Sequence, residues 1–416
     1  MVRRRVDLLI LDSKETVTVS DDLGPDDVGV IDGGGVAVDN GRIVEVASTQ
    51  LIERKYRGRN VVRATDEIVL PGFVDPHTHL VFKGSREEEF GLRVRGLPYM
   101  EVLRKGGGIL ETVNRTRQTS TESLLKASRE RLNKALETGT TSIEMKSGYG
   151  LRLQDEVKML RVINILKKEH PCRVTATFLG AHALPTEYSS PEIYTRLIIE
   201  EMLPVVMHEK LARFCDVFCE RGVFDERLSM RILKAGRHYG LRPKVHADEF
   251  SDSGGARVAN MTRAVSADHL IHSPSSQLEQ MRETGVTPVL LPASSHSLLM
   301  EQHADATEML SMNLPVALGT DFSPANWILG PLNVAALAAR ELKMRSGDII
   351  RGITINAARA LGLERRIGAL TPGRLADIAV IRAPSHKWIG YAGGEGLVDK
   401  VLIGGELMVD DGRRVR

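Results

Sequence analysis

Between about residues 71 and 367 the sequence alternates apolar strand segments with amphipathic helical ones, and this alternation constrains the fold more than any other feature. Strands are expected at Ile68–His79, Thr140–Lys146, Arg173–His182, Cys215–Glu220, Arg242–Asp248, Ala264–His269, Val286–Pro292 and Pro315–Asp321. Helical segments such as Thr121–Glu137 and Gln154–Glu169 fall between them. Eight strands joined by helices close most economically into a (β/α)₈ TIM-like barrel. An open doubly wound sheet is the competing arrangement, but no G-x-G-x-x-G follows a first strand.

Both ends of the chain read differently. Val36 to Val46 predicts a hairpin turning on Asn40-Gly41, a pair that readily takes positive φ. Near the other terminus, Ala376–Ile381 and Val398–Ile403 predict strands, with Gly404-Gly405 turning the chain into Glu406–Val409. The expected organisation is one small β-sandwich domain from residues 1–70 and 368–416 around a barrel domain of residues 71–367. Two separate terminal decorations are the alternative. The glycine run Gly33–Gly35 reads as a loop.

Composition narrows the partners. Lys and Arg total 56 against 54 Asp and Glu, and no basic stripe or acidic tail stands out, so a small-molecule substrate is expected rather than nucleic acid. The arginine-led N-terminal run resembles a signal peptide only superficially. Asp7 and Asp12 interrupt it and no small-residue cleavage site follows, so a strand is expected. No apolar stretch approaches the roughly 20 residues that span a bilayer. Three cysteines, Cys172, Cys215 and Cys219, imply no disulfide framework. A cytoplasmic enzyme is the expectation, with a homodimer as its assembly.

The chemistry lies at the strand ends. His77, His79, His182, His246, His269 and Asp321 all stand at or just past the C-terminal ends of expected strands. In a barrel, that end carries the active site. His77 and His79 are two residues apart, so both imidazoles face the same side of a strand. His246 adds a third nitrogen and Asp321 an oxygen, leaving a position open for water, as a catalytic metal site requires. Neutral imidazoles suit zinc or iron. Asp75 and Thr320 are candidates to steady the ligands or to serve a turn. Glu249, three residues beyond His246, is a candidate general acid/base, with an N-cap or solvated carboxylate as the ordinary alternative. His269 is a candidate to face the attacking water or the scissile carbonyl, or else a core histidine.

These residues carry a resemblance. The motifs are His77-Thr-His-Leu-Val-Phe-Lys-Gly-Ser-Arg-Glu-Glu-Glu-Phe90, Lys105-Gly-Gly-Gly-Ile-Leu110, Lys146-Ser-Gly-Tyr-Gly-Leu151, Gly180-Ala-His-Ala183 and His246-Ala-Asp-Glu249. With them, the chain from about Pro71 to Asp321 resembles the imidazolonepropionase family of the amidohydrolase superfamily. The segment Gly368–Val380 is similar to the superfamily's sandwich-forming tail. The resemblance implies hydrolytic opening of 4-imidazolone-5-propionate to N-formimino-L-glutamate, a step of histidine degradation. It assigns a divalent metal, Zn²⁺ or iron, to His77, His79, His246 and Asp321. It assigns substrate binding to Arg86, Tyr99, Tyr149, His182 and Glu249, and catalysis to Glu249, His269 and Asp321. Arg86 suits the propionate carboxylate, because a guanidinium forms paired, charge-assisted hydrogen bonds with it. In the implied reaction Asp321 and His269 take the proton of water, and Glu249 protonates the leaving ring nitrogen.

Superfamily members with two metals place a carboxylated lysine on the fourth strand. None occurs in Phe214–Glu220, so one ion is expected. Cys219 is either a soft substitute ligand or a buried, inert thiol. The family pattern after the last ligand is roughly Asn-Pro-Gly-Ser, whereas this chain has Ser323-Pro-Ala-Asn326, which makes Asn326 a candidate for substituted substrate contacts. The exit of the seventh strand, Pro292-Ala-Ser-Ser-His296, departs as well. The alternatives are a deaminase or other cyclic-amide hydrolase acting on a different small heterocycle, and a non-catalytic scaffold.

Overall fold

The computed structural model describes residues 3–20, 23–24, 27–96, 108–394 and 396–415. Its centre is a parallel sheet of eight strands in sequential order: Phe73–Asp75, Thr140–Lys146, Arg173–Ala181, Phe214–Cys219, Arg242–Ala247, Ser266–His269, Thr287–Leu290 and Ala317–Leu318. The ends of that sheet meet through a parallel bridge between Thr78 and Phe322. Two backbone bonds complete the seam, Asp321 N–H to the His77 carbonyl (3.0 Å) and His79 N–H to the Phe322 carbonyl (2.9 Å). The expected barrel is therefore present, and its closure sets the first and eighth strand exits side by side. Helices Thr121–Glu137 and Leu153–Glu169 lie where the periodicity places them, one residue aside. No described helix is long and apolar enough to cross a membrane.

The termini form two sheets. One orders Arg42–Ser48, Gly34–Asp39, Arg4–Leu11 and Tyr56–Arg63. The other has seven strands and joins Ile68–Pro71 from the N-terminal part to Ile378–Ile381 from the C-terminal part, antiparallel. Leu8, Ile10, Val36 and Ile43 from the first sheet pack against Val69, Ile378, Val380 and Leu402 from the second, so both termini share one sandwich core. Asn40 and Gly41 turn the first hairpin with φ of 50° and 70°, as their sequence predicts. Gly34 and Gly35, read as loop, instead begin the strand Gly34–Asp39.

The expected strand Ile68–His79 is corrected. Ile68–Pro71 belongs to the sandwich and Phe73–Asp75 to the barrel. Between them, Gly72 leaves no room for a side chain, since a Cβ there would lie 2.4 Å from the Thr141 side chain. Its N–H donates to the Asp377 carbonyl at 2.8 Å. Apolar residues run through this junction without a break, so periodicity alone does not reveal it. Pro76 then lies beyond the regular strand, and both histidines sit on its exit rather than within it.

The same junction ties sandwich to barrel electrostatically. Arg173 Nε and Nη2 donate to Asp377 Oδ2 and Oδ1 at 2.6 and 2.9 Å, and Gly404 N–H donates to Oδ1 at 2.9 Å. Asp377 is buried, so its removal strands three N–H donors. Asp377→Ala is expected to cost roughly 1.5–3 kcal/mol of stability, discounted for the partial exposure of Arg173. A urea titration checks this; an unchanged midpoint would contradict the joint's importance.

Candidate active site

Three residues at the strand exits take left-handed backbone conformations. His269 and Asp321 adopt positive φ of 76° and 49°, and Asp248 adopts 54°. Each such residue costs about 1 kcal/mol or more and persists only where surrounding structure enforces it. Asp248 is held by the N–H groups of Ser253, Gly255 and Ala256 at 3.0, 2.8 and 3.0 Å and by the Ser273 hydroxyl at 2.6 Å. It thereby anchors the loop that carries Glu249.

Four donor atoms converge. His77 Nε2 lies 3.3 Å from His79 Nε2, which lies 3.3 Å from His246 Nε2. Asp321 Oδ1 is 3.5 Å from His77 Nε2 and 3.4 Å from His79 Nε2. An ion bound at 2.0–2.1 Å in tetrahedral geometry separates its ligands by about 3.3–3.4 Å, and these four contacts match that spacing. His182 and His269 border this centre. His182 shares a potential donor group with His79 and His246, and His269 shares one with His77 and His246, each within 4.8 Å. Cys219 belongs to no such group among the described residues. Its thiol is buried, which pushes it up to about 12.

The two histidines of the first strand exit are kept neutral, and acids stand behind two of the rings. Burial holds His77 and His79 well below the ordinary histidine range, with Lys146 adding to the effect on the first and His182 on the second. His77 Nδ1–H donates to Asp268 Oδ2 at 2.6 Å, and His246 Nδ1 faces Asp216 Oδ2 at 3.1 Å. In the His77 ring Nε2 is thereby left as the free lone pair. Below them, Asp75 accepts from Thr320 N–H (3.1 Å) and Thr320 Oγ1 (2.7 Å), joining the first and last exits as expected of a support pair.

Above the centre opens a cavity of about 610 Å³, lined by His79, Arg86, Tyr149, His182, Glu249, His269, Ser294 and Asp321 among others. Arg86 lies at its wall, buried, with Nε donating to Thr112 Oγ1 at 3.0 Å. Tyr149 rides on a loop shaped by Glu156, whose carboxylate accepts from the N–H groups of Gly150 and Leu151, both at 2.8 Å. His182 Nδ1 donates to the Gly148 carbonyl at 3.0 Å, and a Cβ on Gly148 (φ 110°) would meet that nitrogen at 2.9 Å. The glycine is thus required for the contact. Burial lowers His182 to about 3, so the ring is neutral, with Nε2 free to accept. Tyr99 lies outside the described residues.

Two carboxyls differ from ordinary ones. Burial, then the charges of Asp321 and Glu220, push the Glu249 carboxyl well above the ordinary carboxylate range. Burial raises Asp321 to about 6 against an opposing hydrogen bond from Ser294. His269 Nε2 is 3.7 Å from Glu249 Oε2.

Asn326 does not face substrate. It is buried, donates to the Thr320 and Asp321 carbonyls (2.8 and 3.1 Å), and accepts from Ser297 Oγ (3.0 Å) and Ile328 N–H (3.1 Å). All its polar capacity goes into the loop behind the ligand. Ser323 and Ala325 take the rim instead. Sequence reasoning missed Glu144, Lys146, Asp216, Lys244 and Asp268, all fully buried beneath the centre. A signal existed: Lys244 stands two residues before His246, and Glu144 two before Lys146, spacings that share a strand face.

Comparison with known proteins identifies the family. Residues 240–408 match the model of the amidohydrolase family. The chain is 40% identical to an imidazolonepropionase of Alkaliphilus metalliredigens, over 98% of this chain and 99% of that one. It is 43% identical to one from Symbiobacterium thermophilum, over 99% of each. Among solved structures, an adenosine deaminase from Xanthomonas campestris with bound zinc superposes with a TM-score of 0.78 at 20% identity, covering 100% of this chain and 95% of that one, a likeness of fold. With such identity to imidazolonepropionases along nearly its whole length, the chain belongs to the imidazolonepropionase family of amidohydrolases.

Proposed function

We propose that the chain hydrolyses the cyclic amide C–N bond of 4-imidazolone-5-propionate, adding water to give N-formimino-L-glutamate. The observation that carries this reading is that one cavity holds a buried guanidinium, Arg86, together with the His77–His79–His246–Asp321 centre. That pairing suits a small heterocycle with a carboxylate tail. His77, His79, His246 and Asp321 would hold a single ion, Zn²⁺ or iron. When bound, such an ion lowers the pKa of water and polarises a carbonyl.

The chain's residues supply the rest. Arg86 binds the propionate through charge-assisted hydrogen bonds and sets the distance from tail to ring. Tyr149 and His182 line the path of the ring, with Tyr99 assigned there by resemblance. Asp321, with a carboxyl raised toward neutrality, and His269 take the proton from the attacking water. His269 then faces the oxygen that gains charge at the ring carbonyl. Glu249, whose carboxyl burial raises well above the ordinary range, is suited to donate a proton to the leaving ring nitrogen as the C–N bond breaks. Support for this division of labour is that both carboxyls are buried and line the same cavity. A cytoplasmic homodimer is the setting the family likeness suggests.

The direct test supplies freshly prepared imidazolonepropionate to the metal-loaded protein. Loss of the ring chromophore with appearance of formiminoglutamate is expected, and a metal-replete protein that yields none overturns the proposal. Arg86→Gln should raise KM about 10–100-fold while kcat changes little, the effect of losing a charged hydrogen-bond pair. An unchanged KM would show that the tail binds elsewhere.

A further inference from the structure

Substrate binding and metal ligation leave the first residue of the Lys146-Ser-Gly-Tyr-Gly-Leu151 motif unexplained. Lys146 is fully buried inside the barrel. Its Nζ lies 2.7 Å from Asp216 Oδ2, 2.8 Å from Glu144 Oε2 and 3.6 Å from Asp268 Oδ2. A second buried lysine, Lys244, places Nζ 2.9 Å from Glu144 Oε1 and 2.9 Å from the Pro76 carbonyl. It stands 3.8 Å from Asp268 Oδ2.

The carboxylate oxygens in this network are the ones that aim the ligands. Asp216 Oδ2 contacts Lys146 and also faces His246 Nδ1 at 3.1 Å. Asp268 Oδ2 sits between both lysines and accepts from His77 Nδ1 at 2.6 Å. The backbone is tied in as well. Lys146 N–H donates to the Thr78 carbonyl at 3.0 Å, and Thr78 Oγ1 donates to the Glu144 carbonyl at 2.6 Å. Thr78 is the residue between the two ligand histidines of the first strand exit.

Three carboxylates confined in a dry barrel repel one another, and without a cation among them their oxygens would turn apart or be quenched. We propose that Lys146 is a positioning residue for the metal centre. Through Asp216 and Asp268 it aims Nε2 of His246 and of His77 at a common point. Lys244 holds Glu144 and the chain at Pro76 in support. This inference rests on reading the four-donor centre as a metal site. It differs from a purely structural ion network in one respect: removing Lys146 must weaken the grip of the folded protein on the ion, not only the fold.

The experiment compares the full-length wild type and Lys146→Met. Zinc affinity of the metal-free proteins is measured by competition with a chromophoric chelator, alongside their melting temperatures and the visible spectra of their Co²⁺ forms. Folded Lys146→Met should bind zinc roughly 10–100-fold more weakly, as for other lost supports of metal ligands, with altered Co²⁺ bands. Lys146→Arg should recover part of the affinity. Wild-type affinity and spectrum in Lys146→Met, even with a lower melting temperature, overturn the proposal. If Lys146→Met fails to fold, the charge-balanced E144Q/K146M pair takes its place under the same two outcomes. A wild-type protein that takes up no zinc or Co²⁺ removes the centre itself, and the proposal with it.

Discussion

Three imidazole nitrogens and a carboxylate oxygen are brought together through contacts of only 3.3–3.5 Å, a crowding of polar atoms that a cation among them would satisfy. Everything else in the molecule bears on how that convergence is imposed. Barrel closure brings the exits of the first and eighth strands together, so His77, His79 and Asp321 meet although they lie far apart in sequence. The strand ladder aligns His246 with Asp268 on the next strand, so a ligand and the partner of another ligand share one layer. Burial then keeps His77 and His79 neutral, the form that binds metal.

Above that layer, the loops that line the cavity are each fixed by a buried polar side chain. Glu156 shapes the segment that carries Tyr149, and Asp248 shapes the one that carries Glu249. Asn326 does the same for the chain after Asp321. The departure from the family pattern at Ser323–Asn326 thus alters the rim through Ser323 and Ala325, while the ligand's backbone stays braced. Below the layer, the barrel interior is charged rather than oily. That is tolerable only because Glu144, Lys146, Asp216, Lys244 and Asp268 pair with one another.

Much of this was legible in the sequence, for identifiable reasons. Strand and helix periods differ, so the alternation from Thr140 onward read correctly, and helix Thr121–Glu137 matched to the residue. The clustering of His77, His79, His246 and Asp321 was legible because histidines and an aspartate recur at strand exits. Gly72 was missed because apolar residues pack equally well in sandwich and barrel, and only the crowding against Thr141 marks the switch. Lys146 and Lys244 were missed because a lysine in a strand ordinarily points to solvent. Only knowledge of three acids on neighbouring strands reveals its partners. Asn326 was misread as a rim residue because hydrogen bonds to backbone carbonyls of its own loop leave no mark on composition.

The central claim is that His77, His79, His246 and Asp321 together hold one ion at the mouth of the barrel. Metal analysis of the purified protein and of His246→Ala tests it most directly. The account predicts about one equivalent of zinc or iron per wild-type chain and a large loss in the variant, since a set reduced to three donors binds far more weakly. Full metal content in a folded His246→Ala protein would contradict it.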